Sequence, residues 1–336
     1  MTDHAPPPQA AIFQLITGSW VAQALGAVAR LGVADHLADG PKTSTELAKA
    51  VGADTENLAR TLRALAGVGL FSSPSPDSWA LTPTGACLQT DAPDSMRYAA
   101  IAETDHAHWA TWGRFVEAVR TGGPQAMAAL GSMPWDYYAK HPADGLAFSK
   151  AMSSLSSMSI GPVLASYDFS RAETIADIGG AHGALLAAVL RTRPSARGIL
   201  FDLPQVVAGA GDALGEVSGR VDRVSGDFLT QALPSADVYL LKHVLHDWDD
   251  ESCVKILRNV RAGMRTGARV LIIEMVIPDQ LGAGPAPWMD LNMMVMLGAK
   301  ERTAAAYGAL FARAELATSR VIPTPSPYTI VEAVAR

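Results

Sequence analysis

Several residues whose chemistry could matter stand directly behind short apolar runs. Asp202 closes the run 198–201, Asp227 and Phe228 follow 221–224, His246 comes shortly after 237–241, and Glu274 closes 270–273. A carboxylate at the end of the second run can accept both hydroxyls of a ribose. An acid followed by an aromatic, as in Gly226-Asp227-Phe228, suits the amino group and the face of an adenine. The run 174–178 leads into Asp177-Ile-Gly-Gly-Ala-His-Gly183, whose glycines permit a tight turn and close approach of a ligand to the backbone. No Gly-x-Gly-x-x-Gly fits there, because starting at Gly179 puts Ala181 and Ala184 at the other two places. No Lys-Ser/Thr follows Gly183, so a phosphate-cradling loop is also missing. Together these residues describe an adenosine site without pyrophosphate contacts. His246, facing Glu274 across neighbouring strands, has the makings of a general base whose tautomer a carboxylate fixes.

Those residues need a frame that brings strand ends together. Five strand-length apolar runs at 174–178, 198–201, 221–224, 237–241 and 270–273 are mostly separated by helix-length stretches, notably 185–193 and 251–264. Such alternation predicts a parallel sheet with helices on both faces, and ligands then lie beyond the carboxyl ends of its strands. The first part of the chain differs. A long apolar helix spans residues 12–31, Thr43-Ser-Thr-Glu46 is a capping box, and Asp54 caps a helix carrying Leu58, Leu62 and Leu65 on one face. Two short strands near 70–71 and 79–81 follow, which completes the outline of a winged helix. Residues 1–95 carry five basic against nine acidic side chains, and the stretch 72–78 has no Lys or Arg. Nucleic-acid binding needs cations there, so a scaffolding or dimerising role is expected instead. Between about 93 and 165, helices rich in aromatics (Trp109, Trp112, Phe115, Trp135, Tyr137, Tyr138) either pack between domains or line a substrate pocket.

The whole has 336 residues, 49% of them hydrophobic, with a net charge of −6. That excludes a disordered chain and fits two domains at roughly 100–200 residues each. Cys87 and Cys253 are the two cysteines, far apart and outside metal-ligand spacing, which suits a reducing cytoplasm. The start has no basic region ahead of an apolar stretch, and Gln14, Gln23 and Arg30 interrupt residues 10–34. A run of about 20 apolar residues is therefore lacking, so neither a secretory signal nor a membrane partner is expected.

The motifs Asp177-x-Gly-Gly-x-x-Gly183, Phe201-Asp-Leu-Pro204, Gly226-Asp227-Phe228, Leu241-Lys-His-x-x-His-Asp-Trp248 and Gly298-x-Lys-Glu-Arg-Thr303 occur in that order. With them the chain resembles the plant caffeate and bacterial tailoring O-methyltransferases, which use S-adenosylmethionine and dimerise through an N-terminal winged helix. Ala181 stands where many of them have a third glycine. The resemblance implies an α/β fold, with a Rossmann-like class I methyltransferase sheet preceded by a mostly helical winged-helix dimerisation domain. It places a flexible tail at 1–10, the dimerisation domain at 11–95, linking helices that contribute to the substrate pocket at 96–160, and the methyltransferase domain at 161–336. It implies that Gly179, Asp202, Asp227, Phe228 and Lys242 bind S-adenosyl-L-methionine, with Trp248 beside the adenine. It makes His246 the general base, flanked by Glu274 and Glu301, and puts Met152 and Asp247 on the substrate side. No metal and no nucleic acid are expected; a homodimer and a small aromatic acceptor are.

The reaction so implied is transfer of a methyl group to a phenolic or enolic hydroxyl. A phenol's pKa is about 10 and a histidine's about 6.5, so an imidazole can take the proton during attack. Met289, Met293 and Met296 recur at helical spacing, and either form ordinary core or wall a substrate pocket with Met152. Other readings are C-methylation, a metal-assisted variant using His243, His246 and Asp247, and a metabolite-sensing winged-helix regulator. Ala286 to Lys300 adds no histidine for a metal, and His243 is expected to point into the sheet packing. The acidic wing and the set His246, Glu274 and Glu301 speak against the regulator.

Overall fold

The computed structural model describes residues 7–280, 282 and 284–336. The chain forms two compact units, one from Met1–Gly113 with Ala129–Ser156 and the other from Arg114–Ala128 with Ser157–Arg336. The segment 96–160, expected as a linker in its own right, is shared between them.

In the first unit a helix runs over Pro8–Leu31 and stops at Gly32, whose φ of 69° is left-handed. Pro8 sits in its first turn, where a missing N–H is tolerated. The tail expected over 1–10 is thus helical from Pro8, and residues 1–6 lie outside the described residues. Only the last turns of this helix are buried. A Cβ at Gly26 would come within 1.9 Å of Thr104 Oγ1, so this contact requires glycine. Further back the helix is bare: Leu15 is 75% exposed and Trp20 64%. By length and composition this helix is long and apolar enough to cross a membrane, despite the interruptions at Gln14, Gln23 and Arg30.

The capping box forms as expected, with Thr43 Oγ1 accepting from Glu46 N–H and Glu46 accepting from Thr43 N–H, and it opens the helix Ser44–Val51. Asp54 accepts from Asn57 N–H and opens Thr55–Ala66, which buries Leu58, Leu62 and Leu65. Strands β1 (Lys42–Thr43), β2 (Phe71–Ser75) and β3 (Ser78–Leu81) make an antiparallel sheet in the order β1-β3-β2. Ser44 Oγ donates to Asp77 at the wing's turn and accepts from Trp79 Nε1 at 2.8 Å. This chain of bonds pins the wing to the helix behind it.

The second unit holds seven strands: β4 (Thr174–Ile178), β5 (Arg197–Asp202), β6 (Val221–Ser225), β7 (Ala236–Lys242), β8 (Met264–Glu274), β9 (Leu316–Pro323) and β10 (Thr329–Ala335). Their order is β6-β5-β4-β7-β8-β10-β9. The first five are parallel, and β10 is antiparallel to both its neighbours. Strand order reverses between β4 and β7, which opens a crevice at their carboxyl ends. Pairing of Ile178 with Phe201, Asp202 with Ser225 and Lys242 with Ile273 brings those ends level.

Alternate residues of each strand serve opposite faces. Ala176, Phe201, Leu241 and Ile272 pack with the helices Asp250–Gly263 and Ala304–Arg313. Ile175, Leu200, Leu240 and Leu271 pack with Ala184–Thr192 on the other side. The hairpin β9–β10 was not foreseen from the sequence. Glu332 breaks its apolar pattern, yet this residue is fully buried and accepts from Tyr167 Oη, Arg269 and Arg320 at 2.7 to 3.1 Å. Burial opposes its ionisation, but the bonds from Arg320 and Tyr167 outweigh it and hold the carboxyl down at about 2.

Candidate active site

The turn after β4 is shaped by its glycines. Gly179 has φ 66°, and a Cβ there would meet Val244 Cγ2 at 2.9 Å and Phe228 Cε1 at 3.5 Å. Gly183 has φ 82°, and its Cβ would meet Leu214 at 2.7 Å. Ala181 also takes a left-handed φ, 51°, which an alanine adopts at some strain. Asp202, at the end of β5, reaches this turn: Oδ2 accepts the Ala181 N–H at 2.9 Å and Oδ1 the Leu203 N–H at 2.7 Å. Each oxygen keeps a lone pair for a ligand.

Next along the sheet, Asp227 accepts the Leu229 N–H at 2.8 Å, and Asn259 Nδ2 donates to Phe228 O at 2.8 Å. The Phe228 and Trp248 rings meet edge to face, 5.8 Å between centroids. Gly179, Phe228, Val244 and Trp248 therefore share one place, with the Asp202 and Asp227 carboxylates on the neighbouring strand ends. A bare backbone turn, two acids and two aromatic rings are groups that suit an adenosyl moiety, and a Cβ at Gly179 would crowd Val244. Lys242 ends β7; burial depresses its ammonium's pKa, while the charges of Asp177 and Glu274 counter that. Burial also pushes the Asp177 carboxyl up to about 7.

After β7 the chain enters a 3-10 turn over Leu245–Asp247 that carries His246. The ring is buried, and its nearest acid is Glu301: Nδ1 lies 2.8 Å from Glu301 Oε1. Glu274, expected to face the imidazole, stands further off, its Oε2 3.7 Å from Nδ1. Its Oε1 accepts the Val244 and Leu245 N–H groups, each at 3.1 Å. Glu274 thus holds the turn, and Glu301 holds the ring. Because a carboxylate only accepts, Nδ1 carries the proton and Nε2 is left with its lone pair in the neutral ring. Nε2 lies 3.5 Å from Asp247 Oδ1, and the Asp247 side chain is exposed.

Burial disfavours a charged His246, but the charge of Glu274, the bond to Glu301 and the nearby Asp247 outweigh it and push the pKa up to about 10. Burial raises Glu274 as well, against the pull of His246. His243 packs its ring between His246 and Tyr328, 5.3 and 4.8 Å from their centroids, with a pKa driven down by burial. Atoms of His246, Glu274 and Glu301 lie within 4.8 Å of one another, a donor set that a metal could use. The 2.8 Å contact, however, is hydrogen-bond length, shorter than the spacing of two ligands around an ion with bonds of about 2.1 Å.

Met289 and Met293 are half-buried on the helix Ala286–Leu297, which packs against the His246 turn, and Met296 on the same helix is buried. Met152 belongs to the first unit, on the helix Pro142–Ser166, with an exposed side chain. Two residues that sequence reasoning missed support Glu301. Asp290 accepts the Glu301 N–H at 2.9 Å, and Arg302 contacts the His246 turn directly. The signal was the run Gly298 to Thr303 itself, of which only Glu301 had been given work.

Residues 112–316 match the O-methyltransferase domain and residues 13–91 the O-methyltransferase dimerisation domain. The chain is 41% identical to the phenazine O-methyltransferase PhzM of Lysobacter antibioticus, covering 98% of this chain and 97% of that one. It is 37% identical to the mitomycin biosynthesis 6-O-methyltransferase of Streptomyces lavendulae, covering 95% and 92%. Among solved structures it is similar to CalO1, a methyltransferase in calicheamicin biosynthesis bound to SAH, with a TM-score of 0.91 and 36% identity over 99% of this chain and 100% of that one.

Proposed function

The chain belongs to the S-adenosylmethionine-dependent O-methyltransferases that carry a dimerisation domain, and from that premise we propose that it methylates a phenolic or enolic hydroxyl of a small aromatic secondary metabolite, with His246 as general base. The observation that carries the reading is the bond between His246 Nδ1 and Glu301, which leaves Nε2 as the proton acceptor of the neutral ring. The relatives named for phenazine and mitomycin supply the substrate class.

In this reading Gly179, Asp202, Asp227, Phe228, Lys242 and Trp248 hold the cofactor. Bound there, it supplies an electrophilic methyl carbon on a sulfonium. His246 takes the hydroxyl proton at Nε2 as the acceptor oxygen attacks. Glu301 stabilises the imidazolium so formed, and Glu274 keeps the turn in place. Met289, Met293 and Asp247 form the acceptor side. The hydrogen-bonded cluster does this work without a metal.

The bare face of the helix Pro8–Leu31 is covered by a second copy of the chain rather than by lipid, since it falls largely within the dimerisation domain. The free thiols Cys87 and Cys253 suit action in the cytoplasm. The test is incubation of the enzyme and cofactor with a panel of hydroxylated phenazines, quinones and benzoates, read by mass spectrometry. A product one methylene heavier, formed by the parent and lost in His246→Ala, is expected; a product methylated on carbon would overturn the assignment to oxygen.

A further inference from the structure

We propose that Arg302 is a positioning residue for methyl transfer: its guanidinium clamps the turn that carries His246 at both ends, and so aims the imidazole. The proposal rests on His246 being the base.

Arg302 is almost wholly buried. Its Nη1 donates to Leu245 O at 2.8 Å and its Nη2 to Trp248 O at 2.7 Å. Nη2 and Nε also reach Asp250 Oδ1, at 2.8 and 3.1 Å. One planar fork therefore spans the residue before His246, the residue that closes the turn, and the first residue of the helix Asp250–Gly263. A lysine has the charge but not the plane, and cannot bridge three such points in one geometry.

The neighbours of Arg302 grip the same turn. Lys300 N–H donates to His246 O at 3.2 Å, and Glu301 bonds the ring. Three consecutive residues thus hold the main chain before, at and after His246 as well as its Nδ1. Behind them Thr303 caps the helix Ala304–Arg313, which anchors the run. Without the fork, Leu245 O keeps the Trp248 N–H at 3.3 Å and the Cys253 thiol at 3.2 Å, while Trp248 O is left with the same thiol at 3.5 Å, a weak donor. The contacts of Arg302 converge on the turn that presents the base. Small displacements of a proton acceptor are costly to rate, about a hundredfold for 1 Å.

The experiment compares Arg302→Lys, Arg302→Ala and His246→Ala with the parent, as full-length protein with cofactor and an accepted hydroxyaromatic. Arg302→Lys is expected to fold and to keep its cofactor affinity and acceptor KM within about threefold, while kcat falls at least about tenfold. Its rising pH–rate limb should move to lower pH, because Glu301 no longer meets Nδ1 squarely. Arg302→Ala should regain part of its kcat with added guanidinium ion and none with ammonium. Parental kcat and pH profile in Arg302→Lys overturn the proposal. So does a loss of folded fraction with unchanged kcat per folded molecule. Should neither Arg302 variant fold, Asp250→Asn releases one anchor of the fork and is expected to lower kcat with the same pH displacement; an unchanged kcat and profile there overturn it. Turnover surviving in His246→Ala sinks the general-base reading and this proposal with it. Loss in His246→Ala but not in Arg302→Lys sinks this proposal alone.

Discussion

Asp202 and Ala181 meet across the ends of two neighbouring strands, Oδ2 accepting the N–H of the alanine at 2.9 Å. The carboxylate therefore does two things at once: it ties down the crest of the glycine turn and stands ready for a ligand's hydroxyls. Asp202→Ala should weaken S-adenosylmethionine binding by roughly ten- to a hundredfold, from the loss of charge-assisted bonds worth about 1.5–3 kcal/mol. Asp202→Asn, which still offers the Ala181 N–H an oxygen, should lose less. Calorimetry on the folded variants checks both, and parental affinity in Asp202→Ala would remove this residue from the cofactor site.

Replacing His246 by alanine should lower kcat by about 10²–10⁴-fold and change cofactor affinity little. Near-parental turnover on the accepted metabolite would mean that alignment alone, or an already ionised acceptor, drives the reaction.

The pH dependence follows from the acids around His246. An ordinary imidazole would give a rate that rises near pH 6.5. With its pKa pushed up to about 10, the free enzyme's ring is protonated at neutral pH, so kcat/KM should still be rising above pH 8. Glu301→Gln removes the bond that favours the charged ring, and the limb should move down. The same shift stabilises the fold fully below the unfolded histidine pKa of about 6.5, and that contribution fades as pH rises toward 10. Melting temperatures from pH 6 to 10 should therefore fall more steeply in the parent than in His246→Ala.

Besides its charge beside His246, Glu274 holds main chain, and its substitutions should cost stability. Glu274→Ala leaves two buried N–H groups, of Val244 and Leu245, without their acceptor, at about 1–3 kcal/mol each. Glu274→Gln keeps an acceptor oxygen and should be milder. Urea unfolding measures the difference; equal stability of the two variants would show that the carboxylate's place at the turn is incidental.

Leu15→Asp together with Trp20→Asp puts charge on the bare face of the first helix. Light scattering at micromolar concentration should find a dimer in the parent and a monomer in the variant. A parental dimer that survives both substitutions would place the interface elsewhere.

The parallel half of the sheet was legible because its apolar runs stop abruptly, at Gly179, Asp202, Lys242 and Glu274 or just short of Gly226-Asp227. His246's nearest acid, Glu301, was legible only through the motif Gly298 to Thr303. Reasoning from adjacent strands pairs it with Glu274, whereas Glu301 comes back to it from a loop more than fifty residues further on, and sequence distance hides such returns. The hairpin β9–β10 was hidden by Glu332, a charge that looks solvent-facing until Arg269, Arg320 and Tyr167 are seen around it. Likewise the helix Pro8–Leu31 begins inside the tail expected over 1–10, since the first turn of a helix accepts a proline without loss.

Strand β10 lies between β8 and β9, although the ribosome makes it after both. While the nascent chain ends short of residue 329, the apolar stretch 270–273 has an open edge, available to any other extended segment. β10 closes that edge and brings with it the Glu332 carboxylate, which pairs with Arg269 and Arg320. A strand shifted by one residue would turn Glu332 away from both arginines, so the ion pairs favour the register in which the sheet closes.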